Sequence, residues 1–562
     1  MAIIGVSGKI WEIKGSLDSK SKLDINRLTT ILLENRGIKD KKEKEFFLNP
    51  PHPFKLKASD VGLDEEKLEE AVAKIKEVGK KGQSIIIYGD YDADGITGSA
   101  ILWEALYSRG FKVLPYLPDR AKEGYGVRAE SVARLKKKYP DLGMIITVDN
   151  GIVAFDEVKK IKEMGLKVIV SDHHKKGPKI PAADVVIHTE KISGAGVSWF
   201  LSSFLKKKMK VKNSFYDNDG LDLLAIGTIA DQMPLVGINR SFAKYGIEAI
   251  NNTQRKGLIE LFKEAGITKG KIGIYEMNYI IVPRINAMGR ISHALESLRL
   301  LCTKDLNKAQ DLALHLGRIN RERQKMVDDL VAKAKVNARK ELKNKVLIVR
   351  GRDYNEGIIG LVAGKLVEEF YRPAIVISEK KGVSKASVRS ISGFDITKGL
   401  RDLGDMFESL GGHSMAAGFS IKTGKIDSFK EKFIRYANKK IKDSLLQPKL
   451  YVDLEVDFDF IDDKLLEALS LFEPLGIGNP SPIFLSRKVR VLDAKNMGKD
   501  GKHLRLVLNH SQRIFEAVAF GFGNSLSQIK RDTFLDIVFG IDKNTWNGIE
   551  KIELRLKDFK IS

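Results

Sequence analysis

Between about residues 81 and 190, short apolar runs without polar alternation each end abruptly in acidic, glycine or histidine residues. Ile85-Ile86-Ile87-Tyr88 leads into Gly89-Asp90-Tyr91-Asp92-Ala93-Asp94-Gly95, and Met144-Ile145-Ile146-Thr147-Val148 into Asp149-Asn150-Gly151. Val168-Ile169-Val170 leads into Ser171-Asp172-His173-His174, and Val185-Val186-Ile187 into His188. A strand alternates only when one face is wet, so unbroken runs of this length predict strands buried on both faces. Stretches of helical periodicity separate them, with Ile101, Leu102 and Leu106 after the first run and Val158 and Ile161 after the second. Strands alternating with helices require crossovers and predict a mainly parallel sheet. Ligands of such sheets bind beyond the carboxyl ends of the strands, where these acids fall. A further acid, Asp231, closes the apolar run Leu223 to Ala230.

The pattern changes along the chain. Leu68, Ala71, Val72, Ile75 and Val78 recur at helical spacing, predicting an amphipathic helix after the break Asn49-Pro50-Pro51-His52-Pro53. Residues 305–343 read as one long helix carrying Leu312, Leu316, Ile319 and Leu330. Val346 to Val349 and Ala374 to Ile377 flank a helix over Gly357 to Phe370, the pattern of a smaller α/β lobe. From about residue 450, segments such as Val489 to Leu492, Leu504 to Leu508, Phe534 to Phe539 and Lys551 to Leu556 predict a compact antiparallel barrel.

At 562 residues the chain has room for roughly three or four domains. Its 96 Lys plus Arg against 73 Asp plus Glu give a net charge of +23, which favours a polyanionic partner. No apolar run reaches the roughly 18 residues of a membrane span, and the opening residues lack a secretory pattern. The lone Cys302 excludes an internal disulfide and a multi-thiolate zinc site. A soluble, cytoplasmic location is expected.

Asp90, Asp92 and Asp94 carry the sharpest chemistry. In an extended loop alternate residues point the same way, so their carboxylates converge and need cations or protons between them. The string is not a calcium loop, because its twelfth position is Ile101 rather than a bidentate Glu. Oxygen ligands with one or two imidazoles suit manganese or magnesium. Two such ions about 3.5–4 Å apart stabilise both attacking and leaving oxygens of a phosphoryl group. No Gly-x-Ser-x-Gly elbow follows a strand, and Gly194-Ala195-Gly196 lacks the Gly-Lys-Ser/Thr of a nucleotide loop.

These motifs resemble the Asp-His-His (DHH) phosphoesterase superfamily, and within it the bacterial RecJ exonucleases specific for single-stranded DNA. The resemblance runs over Gly89 to Gly98, Val148 to Gly151, Asp172-His173-His174, Thr228 to Asp231, Pro283 to Arg290 and Gly411 to Gly418. It implies an α/β fold in which residues 1–80 form an extension packed on a DHH catalytic domain, 81–304. A helical connector, 305–343, a DHHA1-like substrate-binding domain, 344–445, and an OB-like barrel, 446–562, would follow. By the same resemblance Asp92, Asp94, Asp149, His173 and Asp231 are metal ligands for Mn²⁺ or Mg²⁺, two ions in all. Asp90 completes or orients that shell, and His174 lies near the scissile phosphate, so Asp90, Asp149 and His174 are the expected catalytic residues. Ser387, Arg389, Ser390 and His413 would hold DNA. The implied activity is metal-dependent removal of nucleotides from the 5′ end of single-stranded DNA in repair and recombination. A monomer is expected, with a DNA helicase and a single-strand-binding protein as partners.

Read from chemistry, Arg284 and Arg290 around Asn286 offer planar donor forks for phosphate oxygens, and ion-pairing within the protein is the competing reading. Asp149 is the expected bridging ligand because it directly follows its strand. Water activated by the ions would attack the phosphodiester, with the arginines and His174 stabilising its charge. The alternatives are an oligonucleotide or cyclic-dinucleotide phosphodiesterase of the same superfamily, a pyrophosphatase, a non-catalytic single-stranded-DNA-binding protein and an interaction scaffold. The C-terminal module and the positive balance disfavour the small-substrate readings.

Overall fold

The computed structural model describes residues 3–15, 23–120, 122–210, 219–546 and 549–562. The chain divides into two compact units: Asn49–Ala332 with Asn355–Ile358, and Met1–Leu48 with Lys333–Tyr354 and Ile359–Ser562.

The first unit is built on a five-stranded sheet in the order Val113–Tyr116, Ser84–Gly89, Leu142–Val148, Lys167–Asp172, Val185–His188. Every neighbouring pair is parallel, with Ile87 opposite Ile146 and Ile146 opposite Ile169. All residues of Ser84–Gly89 and Leu142–Val148 are buried, as unbroken apolar runs require. Alternate residues serve opposite layers. Ile85 and Ile87 join a core with Leu68 and Ile75 of the helix Glu65–Lys80 and with the helices Ala93–Tyr107, Gly194–Lys208 and Leu221–Ala230. Ile86 and Tyr88 face Val132, Leu135, Val158 and Ile161 of the helices Ala129–Lys138 and Phe155–Glu163. Each such side chain, taken from water, contributes about 1.5–3 kcal/mol.

The second unit carries a sheet in the order Ser409–His413, Ala416–Lys422, Val383–Arg389, Ala374–Ser378, Leu347–Gly351. The helices Ile359–Phe370 and Ile426–Lys440 accompany it. A barrel follows: Phe484–Met497, His503–His510, Arg513–Ala519, Ile549–Ile561 and Phe534–Trp546, which pairs back to Phe484–Met497. It is not wholly antiparallel as expected, because Arg513–Ala519 closes it by running parallel to Ile549–Ile561.

The expected N-terminal extension 1–80 is divided between the units. Ile10–Ile13 pairs in parallel with Lys449–Val452, and Trp11 Nε1 donates to the buried Asp558 carboxylate at 2.9 Å. Residues from Asn49 onward stay with the parallel sheet. The connector is the helix Leu306–Lys340, which belongs to the first unit through Ala332 and to the second from Lys333. Among the described residues no helix is long and apolar enough to cross a membrane.

Candidate metal centre

The acids are gathered by strand ends and helix ends together. Asp90 follows its strand directly and its N–H donates to Val148 O at 3.1 Å. Asp92 caps the helix Ala93–Tyr107, its Oδ1 accepting from Asp94 N at 3.0 Å and Gly95 N at 3.1 Å. Asp94 lies in the first turn of that helix and reaches the N-terminus of another: its carboxylate accepts from Gly194 N at 2.7 Å and Ala195 N at 2.9 Å. Asp231 ends the run Leu221–Ala230, which is a helix rather than a further strand. That run is apolar all round because the helix is buried on every side, a pattern that a run of its length shares with an interior strand.

Asp149 stands at the end of the central strand with φ +63°, a conformation rare for a residue with a side chain and concentrated at functional sites. Its N–H donates to Ser171 O at 3.1 Å. Asn150 ties two strand ends together, Nδ2 donating to Tyr88 O at 3.1 Å and Val148 O at 2.9 Å. Glycine is required where the helices close on these acids. A Cβ at Gly194 would lie 2.6 Å from Asp149 Cβ, and one at Gly227 would lie 2.6 Å from Asp94 Oδ1. Gly194-Ala195-Gly196 is therefore a close-approach helix start and not a phosphate loop.

His173 is the hub. Its Nε2 lies 3.1 Å from Asp149 Oδ1, 3.7 Å from Asp231 Oδ2 and 3.8 Å from Asp94 Oδ2. Donor atoms of Asp94, His173 and Asp231 fall within 4.8 Å of one another, as do those of Asp90, Asp92 and Asp149 and those of Asp149, His173 and His174. The sets overlap at Asp149 and His173. Ligands about 2.0–2.1 Å from an octahedral ion stand about 3 Å apart along each edge, which the 3.1 Å between His173 and Asp149 matches and the 3.7 and 3.8 Å to Asp231 and Asp94 exceed.

The charges are only partly offset within the protein, by Gly194 N and Ala195 N at Asp94 and by the charge of His174 at Asp90 and Asp231. Burial, then the charge of Asp92, pushes Asp94 up to about 6. Burial, then Asp94 and Asp92, pushes Asp231 up to about 8. Asp90 and Asp149 are held well above the usual carboxylate range by burial and by their neighbours' charge. Asp90 Oδ1 is buried without a hydrogen-bond partner, and Asp149 Oδ1 is buried with the His173 imidazole beside it. A buried acceptor without a partner calls for a cation. Oxygen donors with imidazole fit Mn²⁺ or Mg²⁺.

His174 is placed differently from His173. Its Nδ1 meets Asp172 Oδ1 at 2.8 Å, and its backbone O accepts from His188 Nε2 at 2.6 Å. Burial opposes its charged form, but the Asp172 hydrogen bond and charge outweigh that and hold it up at about 9. Asp172 is itself fixed by Ile152 N at 2.9 Å. The Tyr125 hydroxyl lies 3.2 Å from His174 Nδ1 and donates to Asp149 O at 3.2 Å. Asp172 and Tyr125 were outside the expected site residues, although Asp172 opens the Asp-His-His triplet.

The expected substrate-binding residues fare unevenly. Arg284 is committed to the protein, with Nε donating to Glu264 at 2.8 Å and Nη1 to Ile280 O at 3.0 Å. Asn286 Oδ1 accepts from Ala93 N at 2.8 Å and so braces the acidic loop. Arg290 is half-buried and donates to Gly357 O at 3.3 Å. Ser390 is buried and donates to Phe394 O at 2.6 Å, which makes it a turn residue. Ser387 and Arg389 stay together near the start of the helix Ile359–Phe370, where a Cβ at Gly360 would lie 2.9 Å from Ser387 Oγ and 3.3 Å from Arg389 Nη2. His413 is exposed. Gly412 is glycine because a Cβ there would lie 2.4 Å from Ala416 O on the facing strand.

Three family descriptions match consecutive parts of the chain: "DHH family, N-terminal domain" at residues 84–228, "DHHA1 domain" at 343–439 and "RecJ OB domain" at 452–558. The single-stranded-DNA-specific exonuclease RecJ of Bacillus subtilis is 33% identical over 574 residues, covering 98% of this chain and 71% of that protein. The crystal structure of RecJ from Thermus thermophilus in complex with Mn²⁺ superposes with a TM-score of 0.83 at 28% identity, covering 98% of this chain and 79% of that one. The Mg²⁺ complex from the same organism gives a TM-score of 0.75 at 26% identity, over 98% of this chain and 78% of that one. Matched along nearly its whole length, this chain belongs to the RecJ family of single-stranded-DNA-specific exonucleases.

Proposed function

We propose that the chain hydrolyses single-stranded DNA from its 5′ end, releasing nucleotides. One observation carries the chemistry: two groups of donors, the buried Asp90 with the exposed Asp92 and the buried Asp94 with His173 and the half-buried Asp231, meet at the buried Asp149. In this reading Asp92, Asp94, Asp149, His173 and Asp231 would hold two divalent ions, with Asp149 within reach of both groups of ligands and Asp90 completing the shell. Bound there, Mn²⁺ or Mg²⁺ lowers the pKa of water and neutralises charge on the phosphoryl oxygens.

The protein's own groups do the rest. His174, charged at neutral pH through Asp172, sits 3.7 Å from Asp149 Oδ1 and supplies positive charge and a proton donor to the phosphate and the departing oxygen. Tyr125 limits the imidazole's rotation. Ser387, Arg389 and His413 bind the DNA backbone on the second lobe, with the amide groups at the start of Ile359–Phe370 beside them. On the barrel, a groove of about 1260 Å³ carries the exposed Ile514 and Phe520 with Arg513 and Lys551, among acids that include Asp462, Asp463 and Glu553. Apolar and aromatic faces beside cations suit a strand whose bases are unpaired. A cytoplasmic monomer working beside a DNA helicase and a single-strand-binding protein completes the proposal.

The test is digestion of single strands labelled at the 5′ or the 3′ end, beside duplex DNA and RNA, with Mn²⁺, with Mg²⁺ and with chelator. Early release of 5′ label from the single strand alone supports the reading. Equal cleavage of all substrates, early loss of 3′ label or full activity in chelator overturns it.

A further inference from the structure

Far from the acids, the parallel-sheet unit buries a charged network that the proposed chemistry does not use. Arg255 is fully buried, and its Nε donates to Asp222 Oδ2 at 2.8 Å. Its Nη2 donates to Glu104 Oε2 at 2.8 Å, and its Nη1 bonds Glu104 Oε1 and, at 3.3 Å, Leu301 O. Thr253 Oγ1 donates to the same Asp222 oxygen at 2.8 Å. A buried ion network is a poor source of stability, since desolvation consumes most of the attraction and apolar residues of equal volume do as well. What it supplies is a fixed geometry.

Its position says which geometry. Glu104 is on the helix Ala93–Tyr107, whose first turn carries Asp94 and whose cap is Asp92. Asp222 is on the helix Leu221–Ala230, which ends at Asp231. One helix runs away from the acids and the other toward them, so Glu104 and Asp222 mark their far ends, about 14–15 Å along each axis at 1.5 Å per residue. At the near end the helices touch through Gly227, where a Cβ would lie 2.6 Å from Asp94 Oδ1 and 2.7 Å from Thr97 Oγ1. With contact at one end and a rigid guanidinium fork at the other, neither helix can slide or pivot without breaking charge-assisted bonds.

We infer that Arg255 is a positioning residue for the metal centre, fixing the separation of Asp94 and Asp231 by clamping their helices at the opposite ends. The inference rests on the proposed ion-binding role of those acids. The full chain carrying Arg255→Met is titrated with Mn²⁺ alone, and free ion is read by electron paramagnetic resonance without DNA or turnover. Val132→Ala, a cavity on the other face of the sheet, is the control for general destabilisation. Arg255→Met is expected to bind Mn²⁺ about tenfold more weakly, the low end of the loss caused by removing a group bonded directly to a ligand. Val132→Ala is expected to keep native affinity at a comparable loss of melting temperature. Native affinity in Arg255→Met, or an equal loss in Val132→Ala, overturns the inference. If Arg255→Met does not fold, Arg255→Lys keeps the charge without the fork, and native affinity there overturns it likewise. Equal Mn²⁺ binding by the native chain and Asp149→Ala would instead remove the ion site itself, a different failure.

Discussion

Asp149 combines three conditions that a single substitution separates: a left-handed backbone, burial and the charge of its neighbours. Asn tolerates that backbone and has nearly the same shape, but it removes the charge. Asp149→Asn is therefore expected to fold and to lose nuclease activity by about 10³-fold, while melting higher than the native chain when both are metal-free, because one of several crowded carboxylates is gone. Activity within tenfold of native, or a lower metal-free melting temperature, contradicts this. The titrating groups predict a pH dependence for the chelated protein. Asp94, Asp231 and His174 have raised values of about 6, 8 and 9, so the folded state holds protons that the unfolded chain has released. Stability from these groups is present at low pH and falls as pH rises from about 4 through 9. Asp172, held below its ordinary value by His174 and by backbone N–H groups despite burial, acts oppositely and only at the acid end. Mn²⁺ at about a hundred times its dissociation constant restores about 2.7 kcal/mol for each ion bound, more readily at higher pH where its ligands are already ionised. Melting curves with and without chelator from pH 5 to 9 check the slope; a metal-free melting temperature that rises over that range contradicts it.

Among the elements, the strands bearing Asp90, Asp149 and Asp172 were legible because burial on both faces leaves an unmistakable apolar run ended by polar residues. The helix ending at Asp231 was not, because a run of that length buried on all sides carries no period. The tasks of Arg284 and Asn286 were hidden for another reason: their partners, Glu264 and Ala93, come from other elements, and spacing within one motif does not show them. The glycines were legible as residues and illegible as reasons, since Gly194 matters only once a helix start is set against Asp149. That juxtaposition gives its own prediction. Gly194→Ala introduces a Cβ 2.6 Å from Asp149 Cβ, against the root of a buried side chain, and is expected to cost about 1–3 kcal/mol of stability and to reduce activity at least tenfold. An alanine chain with native melting temperature and turnover would show that the helix start yields.

At the scale of the whole chain, the net charge of +23 and the exposed Phe520 in the barrel's groove make different predictions about how DNA is held. If phosphate contacts dominate, each releases counterions from the strand, and affinity falls steeply with salt. Three to five contacts at the single-strand slope give a loss of about 20- to 130-fold between 50 and 200 mM salt. If stacking on residues such as Phe520 dominates, the loss is small, because base–aromatic contacts release few ions. Much of the barrel's charge is internally paired, Arg505 with Glu516 and Arg555 with Asp542. The contacts that respond to salt therefore belong mainly to cations outside those pairs. Binding of the Asp149→Asn chain to a labelled single strand, measured without turnover over that salt range, is expected to follow the steep line; a slope near zero would assign the affinity to stacking and leave the positive balance without a role in substrate capture.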